Sequence, residues 1–421
     1  MKLLTALICS ALGVAPVAAA SSASQPEGYV AHEWGTFTSV QGADGRQLDW
    51  NPHNVVDLPG FVYNQFRPGL GRVPAMSLTK STAARQRMET PVIYFYAEQP
   101  TTVEVAVDFP EGTMTEWYPQ ARFADELLPA AQNPPQPKRN TLRWRNVSIV
   151  PRDQCGNSVG GLLDDRKPSH YYAARETDAA LVKVSEPGHP SEQEKFLFYR
   201  GVAGFTAPLT VRIGDSDGTE LILRNTGAEE LRHLFAYEVR NGRTRWIKVD
   251  RLSPNEETTV KLTKEQSLAD LRCELGKALR ESLVHEGLYP READAMIKTW
   301  DDSWFGETGT RVLYTLPRGW TDRTLPLRLA PSPSALERVM VGRAEMITPR
   351  IEQALASQVE RFLSGDDAAK SIAIEKTREL ALGRFGESTV RRVLSAAKRS
   401  KEFNAASWQL LAAAAHSPAA P

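Results

Sequence analysis

From Val92 onward, apolar side chains fall on every second position, and this period constrains the fold more than any other feature of the chain. Across 102–109, Val103, Val105, Val107 and Phe109 take one face while Thr102, Glu104 and Asp108 take the other. Successive side chains of an extended strand point to opposite sides, so this alternation describes an antiparallel strand with one buried face. Shorter strand-like stretches recur at 92–97, 142–150, 195–200, 209–213, 220–224, 231–240, 243–249 and 258–262, many of them separated by turns rich in Gly, Asp and Asn. Short strands at this spacing predict one or two antiparallel sandwiches. Upstream, the strand-like stretch Tyr29 to Val40 is followed by a turn at Gly42 to Gly45 and then by long loops.

At Thr263 the period becomes helical. Thr263 and Gln266 have capping-box spacing, and the helix they predict carries a stripe of Leu268, Leu271, Leu275 and Leu279 before ending at Gly287. Pro290 opens a second helix with Ala293, Met296, Ile297, Trp300 and Trp304 on its face. Strands return at 311–316, 325–329 and 338–341. Thr348-Pro349 then starts a third helix bearing Ile351, Leu355, Val359 and Phe362, and two further amphipathic segments follow. The expected fold is therefore mainly β, one or two sandwiches, followed by an α+β and largely helical C-terminal module. The expected segments are 21–130 (β-rich), 131–262 (sandwich), 263–347 (helical hairpin plus strands) and 348–421 (helices), with the Pro-rich run Pro129 to Pro137 marking the first boundary.

The first twenty residues read as a signal peptide. Lys2 precedes an apolar run from Leu3 to Val14 that is too short to span a bilayer, and Val17-Ala18-Ala19-Ala20 offers a cleavage point after Ala20. The expectation is export to the periplasm or the medium, with no transmembrane span in the mature chain. Cleavage removes Lys2 and Cys9. It turns the balance of 51 basic and 51 acidic residues into 50 against 51. Cys155 and Cys273 remain as a candidate disulfide, and Cys273 lies off the leucine stripe of its helix. A balanced charge with no long basic block argues against nucleic acid. One local excess exists: 370–401 carries nine Lys or Arg against three Glu. It reads either as the solvated face of helices or as a patch for an anionic surface.

His32-Glu33 is the most suggestive pair for chemistry, with His53 nearby among Asp49 and Asp57. In an extended strand, however, His32 and Glu33 face opposite ways, and no two histidines stand four apart as in the helical zinc motif, so no metal site is expected. Residues 156–160, GNSVG, match the nucleophile-elbow pattern around Ser158, with His170 as a conceivable base and Cys155 as a second nucleophile. That motif needs a strand-to-helix turn in an α/β sheet, and the surrounding residues read as loop. Gly214 to Glu220, GDSDGTE, fits a hairpin turn better than a calcium loop because it lacks the later ligands. His285-Glu286 reads as the end of a helix. There is no phosphate-binding glycine loop and no dinucleotide fingerprint, so no cofactor is expected.

The strings AHEWGTFTSV, METPVIYFY, WDDSWFGETGTRVLYTLPRG and VGRAEMITP together resemble a family of exported bacterial proteins with no activity attached. The resemblance implies export and a β-rich body and carries over no site residue. The function expected from compartment and architecture is binding or structural work in the cell envelope, directed at a glycan, a peptide or a protein. Trp34, Trp50 and Trp117 are candidates for sugar stacking. The competing expectation is a hydrolase or metal-dependent enzyme that gathers His32, Glu33, His53 or His170 in one pocket.

Overall fold

The strand Tyr29–Gly42 is buried along almost its whole length, polar residues included, because it lies in the middle of a sheet covered on both faces. The computed structural model describes residues 28–51, 58–65, 84–124, 139–154, 162–396 and 399–415. Among these, the largest sheet has eleven strands. From edge to edge it runs through Glu265–Ser267, Arg243–Leu252, Leu231–Arg240, Gly309–Leu316, Ala335–Ile347, Tyr29–Gly42, Gln86–Ala97, Leu197–Ala203, Gly112–Tyr118 and Tyr63–Asn64. The short strand Gln47–Leu48 pairs with Tyr29–Gly42 off that path. Its central pair, Tyr29–Gly42 beside Ala335–Ile347, is parallel, with Val30 opposite Ala335 and Gly42 opposite Ile347. Two smaller sheets are antiparallel. One is built around Thr101–Asp108 and Thr141–Val150 and the other around Leu209–Ile213, Glu220–Asn225 and Glu257–Lys261.

The period of two along Tyr29–Gly42 sorts its side chains into two cores. Odd-numbered Ala31 and Phe37 join Val103, Val105, Val107, Leu142, Trp144, Leu209 and Leu223 in the core between the large sheet and the small ones. Gln41 belongs to this side, donating to the Leu209 carbonyl and accepting from Val211 N at 2.9 Å each, which fixes the three-stranded sheet to the large one. Even-numbered Trp34 joins Tyr94, Phe198, Tyr237 and Leu313 in the core beneath two helices. These are α1 (Leu268–His285), which contributes Leu271, Leu275 and Leu279, and α2 (Pro290–Asp301), which contributes Ala293, Met296 and Trp300. A short helix, α3 (Arg318–Thr324), follows. The chain closes with α4 (Pro349–Ser364), α5 (Asp367–Glu379), α6 (Gly386–Ala396) and α7 (Lys401–Ala415), packed on one another through Leu355, Val359, Ala373, Val393, Phe403 and Leu410. The fold is mainly β followed by a helical module, as expected.

The local signals differ from the structure in instructive ways. Pro290 and Pro349 stand at the first turns of their helices, and Thr348 accepts from Ile351 N as N-cap. The helix expected from Thr263 begins later. Glu265–Ser267 pairs with Arg243–Leu252 as an edge strand, and Ser267 caps α1 through a capping box with Asp270. Two cap-like patterns lie in series here, and strand pairing takes Gln266 of the first. Trp34, Trp50 and Trp117 are all buried, so they are core residues and not sugar-stacking platforms. Asp215 receives hydrogen bonds from Gly218 N, Thr219 N and the Thr219 hydroxyl, which makes the GDSDGTE segment the hairpin turn the sequence favours. The expected boundaries near 130 and 262 fall between strands that share sheets, since Thr101–Asp108 pairs with both Thr141–Val150 and Leu327–Ala330. Cys273 is exposed on α1 as a free thiol, and Cys155 lies outside the described residues.

Candidate functional site

Beyond Trp34 the helix-facing side of the central strand turns polar at Thr36 and Thr38 before returning to the apolar Val40. The neighbouring strands match it. Thr36 stands opposite Glu89 and Thr38 opposite Arg87, while Thr38 lies beside Arg343 and Val40 beside Glu345 in the parallel register. Arg311 stands opposite Glu345. Paired residues share a face, so the register alone concentrates charge on one region of the sheet. Arg200 adds to it from Leu197–Ala203. All of these side chains are buried.

Through Glu89 the patch reaches a cleft of about 870 Å³ whose walls include His170, Trp300, Ser303, Glu307 and Arg384. One wall is the 3₁₀ turn His170–Arg175, another the π-helical turn Asp302–Gly306 after α2. Arg384, from the turn Gly383–Phe385 ahead of α6, reaches in from the helical module. Its Nη1 lies 2.8 Å from Glu89 Oε1, and its guanidinium packs over the rings of Trp50 and Phe385. Arg343 binds Glu307 at 2.6 Å, Glu345 at 2.8 Å and the Ser303 hydroxyl at 2.6 Å. Arg311 holds Glu345 at 2.9 Å and donates to the Trp304 carbonyl at 2.8 Å. Burial pushes the Glu89 carboxyl up, but Arg384, and after it Arg87 and Arg200, outweigh burial and hold it at about 2. Burial likewise raises Glu307, yet Arg343, Arg384 and Arg311 bring it below the usual carboxylate range.

Two features give this cleft a chemical character. Behind the cleft, Arg87, Arg200, Arg311 and Arg343 are buried with Glu345, while the lining itself carries Arg384 and Lys298 against Glu89, Glu176, Asp302 and Glu307. Several buried polar atoms also lack a protein partner. Among the described residues of the lining they are Arg384 Nε and Nη2 and Trp300 Nε1. Each can donate a hydrogen bond, and a buried donor left unsatisfied costs about 1–3 kcal/mol. Donors of this kind can hydrogen-bond an acceptor-rich group.

Of the described sequence candidates, His170 lines this cleft. Its ring lies over Trp300 with centroids 5.1 Å apart, and its Nε2 is 3.5 Å from Arg200 Nη2. His32 lies elsewhere, near the N-terminal end of α2. Its Nδ1 is 2.8 Å from Glu292, whose other oxygen accepts from the Tyr96 hydroxyl at 2.7 Å, and the rings of Tyr96 and Tyr289 enclose it. Glu33 points to the opposite face, as strand geometry requires. It pairs with Arg338 at 2.6 Å and accepts from the Tyr199 hydroxyl. His53 and Ser158 lie outside the described residues. The described members of the hydrolase set therefore occupy three separate environments. Glu89, Arg200, Arg343 and Arg384 were missed by sequence reasoning. They sit in strand and helix patterns that look ordinary one at a time, and only the pairing register brings them together.

Many cations of the basic tail already have partners: Arg384 with Glu89, Arg392 with Asp44 and Glu352, Arg391 with Glu387, and Lys376 with Glu379. Among the described residues no helix is long and apolar enough to cross a membrane. No protein-family model matches the chain, and no curated protein sequence does. Among solved structures, the yeast delta-COP-I mu-homology domain complexed with a Dsl1 WxWxV peptide overlaps 76% of this chain and 96% of its own, at 8% identity and a TM-score of 0.28. The same yeast domain without the peptide overlaps equally, at 9% identity and a TM-score of 0.28. An overlap this loose carries no argument about what the chain does.

Proposed function

We propose that this is an exported envelope protein that binds a partner through an anionic group, a carboxylate or a phosphate, seated in the cleft between the central sheet and the C-terminal helical module. The observation that carries this reading is Arg384. Its side chain is nine-tenths buried, with one nitrogen on Glu89 and two more, Nε and Nη2, facing no acceptor among the described residues. A guanidinium presents a fixed fork of donors that matches a carboxylate or phosphate in two-point contact. Arg87 and Arg200 act on Glu89, and Arg343 and Arg311 on Glu307, so buried arginines offset the carboxylates of the lining. Export rests on the N-terminal segment and fits an envelope partner bearing uronic-acid, phosphate or acidic side-chain groups.

Calorimetric titration of the purified mature protein with inorganic phosphate, a uronic-acid oligosaccharide and an acidic peptide separates the sources of that group. Binding of at least one, weakened about tenfold by Arg384→Gln as expected for the loss of one charge-assisted hydrogen-bonding group, supports the reading. Because Arg384→Gln also leaves Glu89 without its partner, Glu89→Gln serves as a second variant, which should bind the same anion more tightly. Absence of binding to all three, or affinities indifferent to both substitutions, overturns it.

A further inference from the structure

Far from the cleft, three potential metal ligands meet at the C-terminal end of α1. His233, His285 and Glu286 each offer a ligand atom, and the three atoms lie within 4.8 Å of one another. His233 Nε2 is 3.1 Å from Glu286 Oε1, and His285 Nδ1 is 3.7 Å from the same oxygen. We infer that His233, His285 and Glu286 form a binding site for a borderline divalent transition ion of the Zn²⁺ class, tying the end of α1 to the strand Leu231–Arg240.

Three observations converge on this site. The first is backbone geometry. His233 has φ of 51°, in the left-handed region, and it is skipped in pairing on both sides: Arg232 and Leu234 pair with Arg251 and Val249, and the register with Gly309–Leu316 shifts between Arg232 and Phe235. A bulge of this kind re-aims a side chain, and holding a non-glycine residue there costs about 1–3 kcal/mol. Here it turns His233 toward the helix end. The second is ligand chemistry. Two imidazoles and one carboxylate suit Zn²⁺ with a position left open to solvent, and metal–nitrogen bonds of about 2.0–2.1 Å require ligand atoms roughly 3.3 Å apart. Glu286 already meets that spacing with His233. His285, with a side chain 69% exposed, has the freedom to close the rest. The third is the field: the C-terminal end of a helix favours a cation.

One group opposes the ion. Arg232 Nη1 lies 3.9 Å from Glu286 Oε1. That side chain is half exposed and has a nearer partner in Glu230 at 3.0 Å, so it can leave Glu286 without losing its own ion pair. Sequence reasoning reads His285-Glu286 as a helix end only, because His233 lies 52 positions earlier and joins them through the irregular pairing with Gly309–Leu316.

The test uses untagged mature protein stripped with chelator and titrated with Zn²⁺, and separately with Co²⁺ to read the ligand-field spectrum. The site predicts stoichiometric Zn²⁺ binding, a Co²⁺ spectrum showing nitrogen and oxygen ligands, and a rise in melting temperature on adding Zn²⁺. His285→Ala, an exposed substitution that leaves the fold in place, should weaken binding by about tenfold or more and abolish the thermal shift. Replacement of the exposed His189 should change neither. Failure of the wild-type protein to bind Zn²⁺, or binding equally tight in His285→Ala, refutes the site.

Discussion

Replacing Glu89 with Gln removes one negative charge from the lining of the cleft with almost no change in volume. In the folded protein Glu89 is held at about 2 against an ordinary 4.5. At 1.36 kcal/mol per unit, that difference corresponds to about 3 kcal/mol of stability. The folded value lies below the unfolded one, so this stabilisation is complete above pH 4.5 and disappears as the pH falls toward 2. The carboxamide cannot titrate and removes the carboxylate that faces Arg384, Arg87 and Arg200, and breaking a buried pair in this way costs about 3–5 kcal/mol. Urea unfolding followed by tryptophan fluorescence, repeated from pH 7 downward, reads both effects. At pH 7 the variant should be less stable by about 3 kcal/mol, and the gap should narrow as the wild-type protein loses its Glu89 contribution in acid. A variant as stable as wild type at pH 7, or a gap that stays constant into acid, would show that Glu89 is not held ionised by these arginines.

Other expectations are read by the same unfolding assay. Glu292→Ala leaves the His32 ring, the Tyr96 hydroxyl and Tyr289 N without their acceptor and should cost about 3 kcal/mol or more; a loss below 1 kcal/mol contradicts the buried nest. Gly342→Ala drives a Cβ to 2.3 Å from the Tyr314 ring, so overpacking should destabilise by about 1–3 kcal/mol, and neutrality would mean that Tyr314 yields. Tyr199→Phe removes a hydrogen bond to the buried Glu33 and should cost about 1–3 kcal/mol. Lys298→Ala breaks only a rim ion pair with the exposed Glu176 and should change stability by less than about 1 kcal/mol.

The legible part of this fold was local. The alternation of Val103, Val105 and Val107 names the face they bury, and the stripe of Leu271, Leu275 and Leu279 on α1 lies against the sheet as its spacing requires. Pro290 and Thr348-Pro349 start helices because a fixed φ and a side-chain cap act within one turn. The opposition of His32 and Glu33 was legible too, since it follows from strand geometry whatever the partner strand. Their partners were not. His32 meets Glu292 and Glu33 meets Arg338, separations of 260 and 305 residues.

What the chain's periodicities cannot carry is register. The parallel pairing of Tyr29–Gly42 with Ala335–Ile347 brings Thr38 beside Arg343 and Val40 beside Glu345, and the antiparallel pairing with Gln86–Ala97 adds Arg87 and Glu89. A slip of one residue in either pairing would send those charges to the other face. The arginine cleft and the His233–His285–Glu286 cluster are both products of such pairings, one of register and one of a bulge. Short-range propensity governs which residues become strand or helix because it acts through neighbouring dihedrals and caps. The gathering of charge at one point on the sheet depends instead on which distant segments bury their apolar faces together. That choice is settled by the packing of the whole molecule.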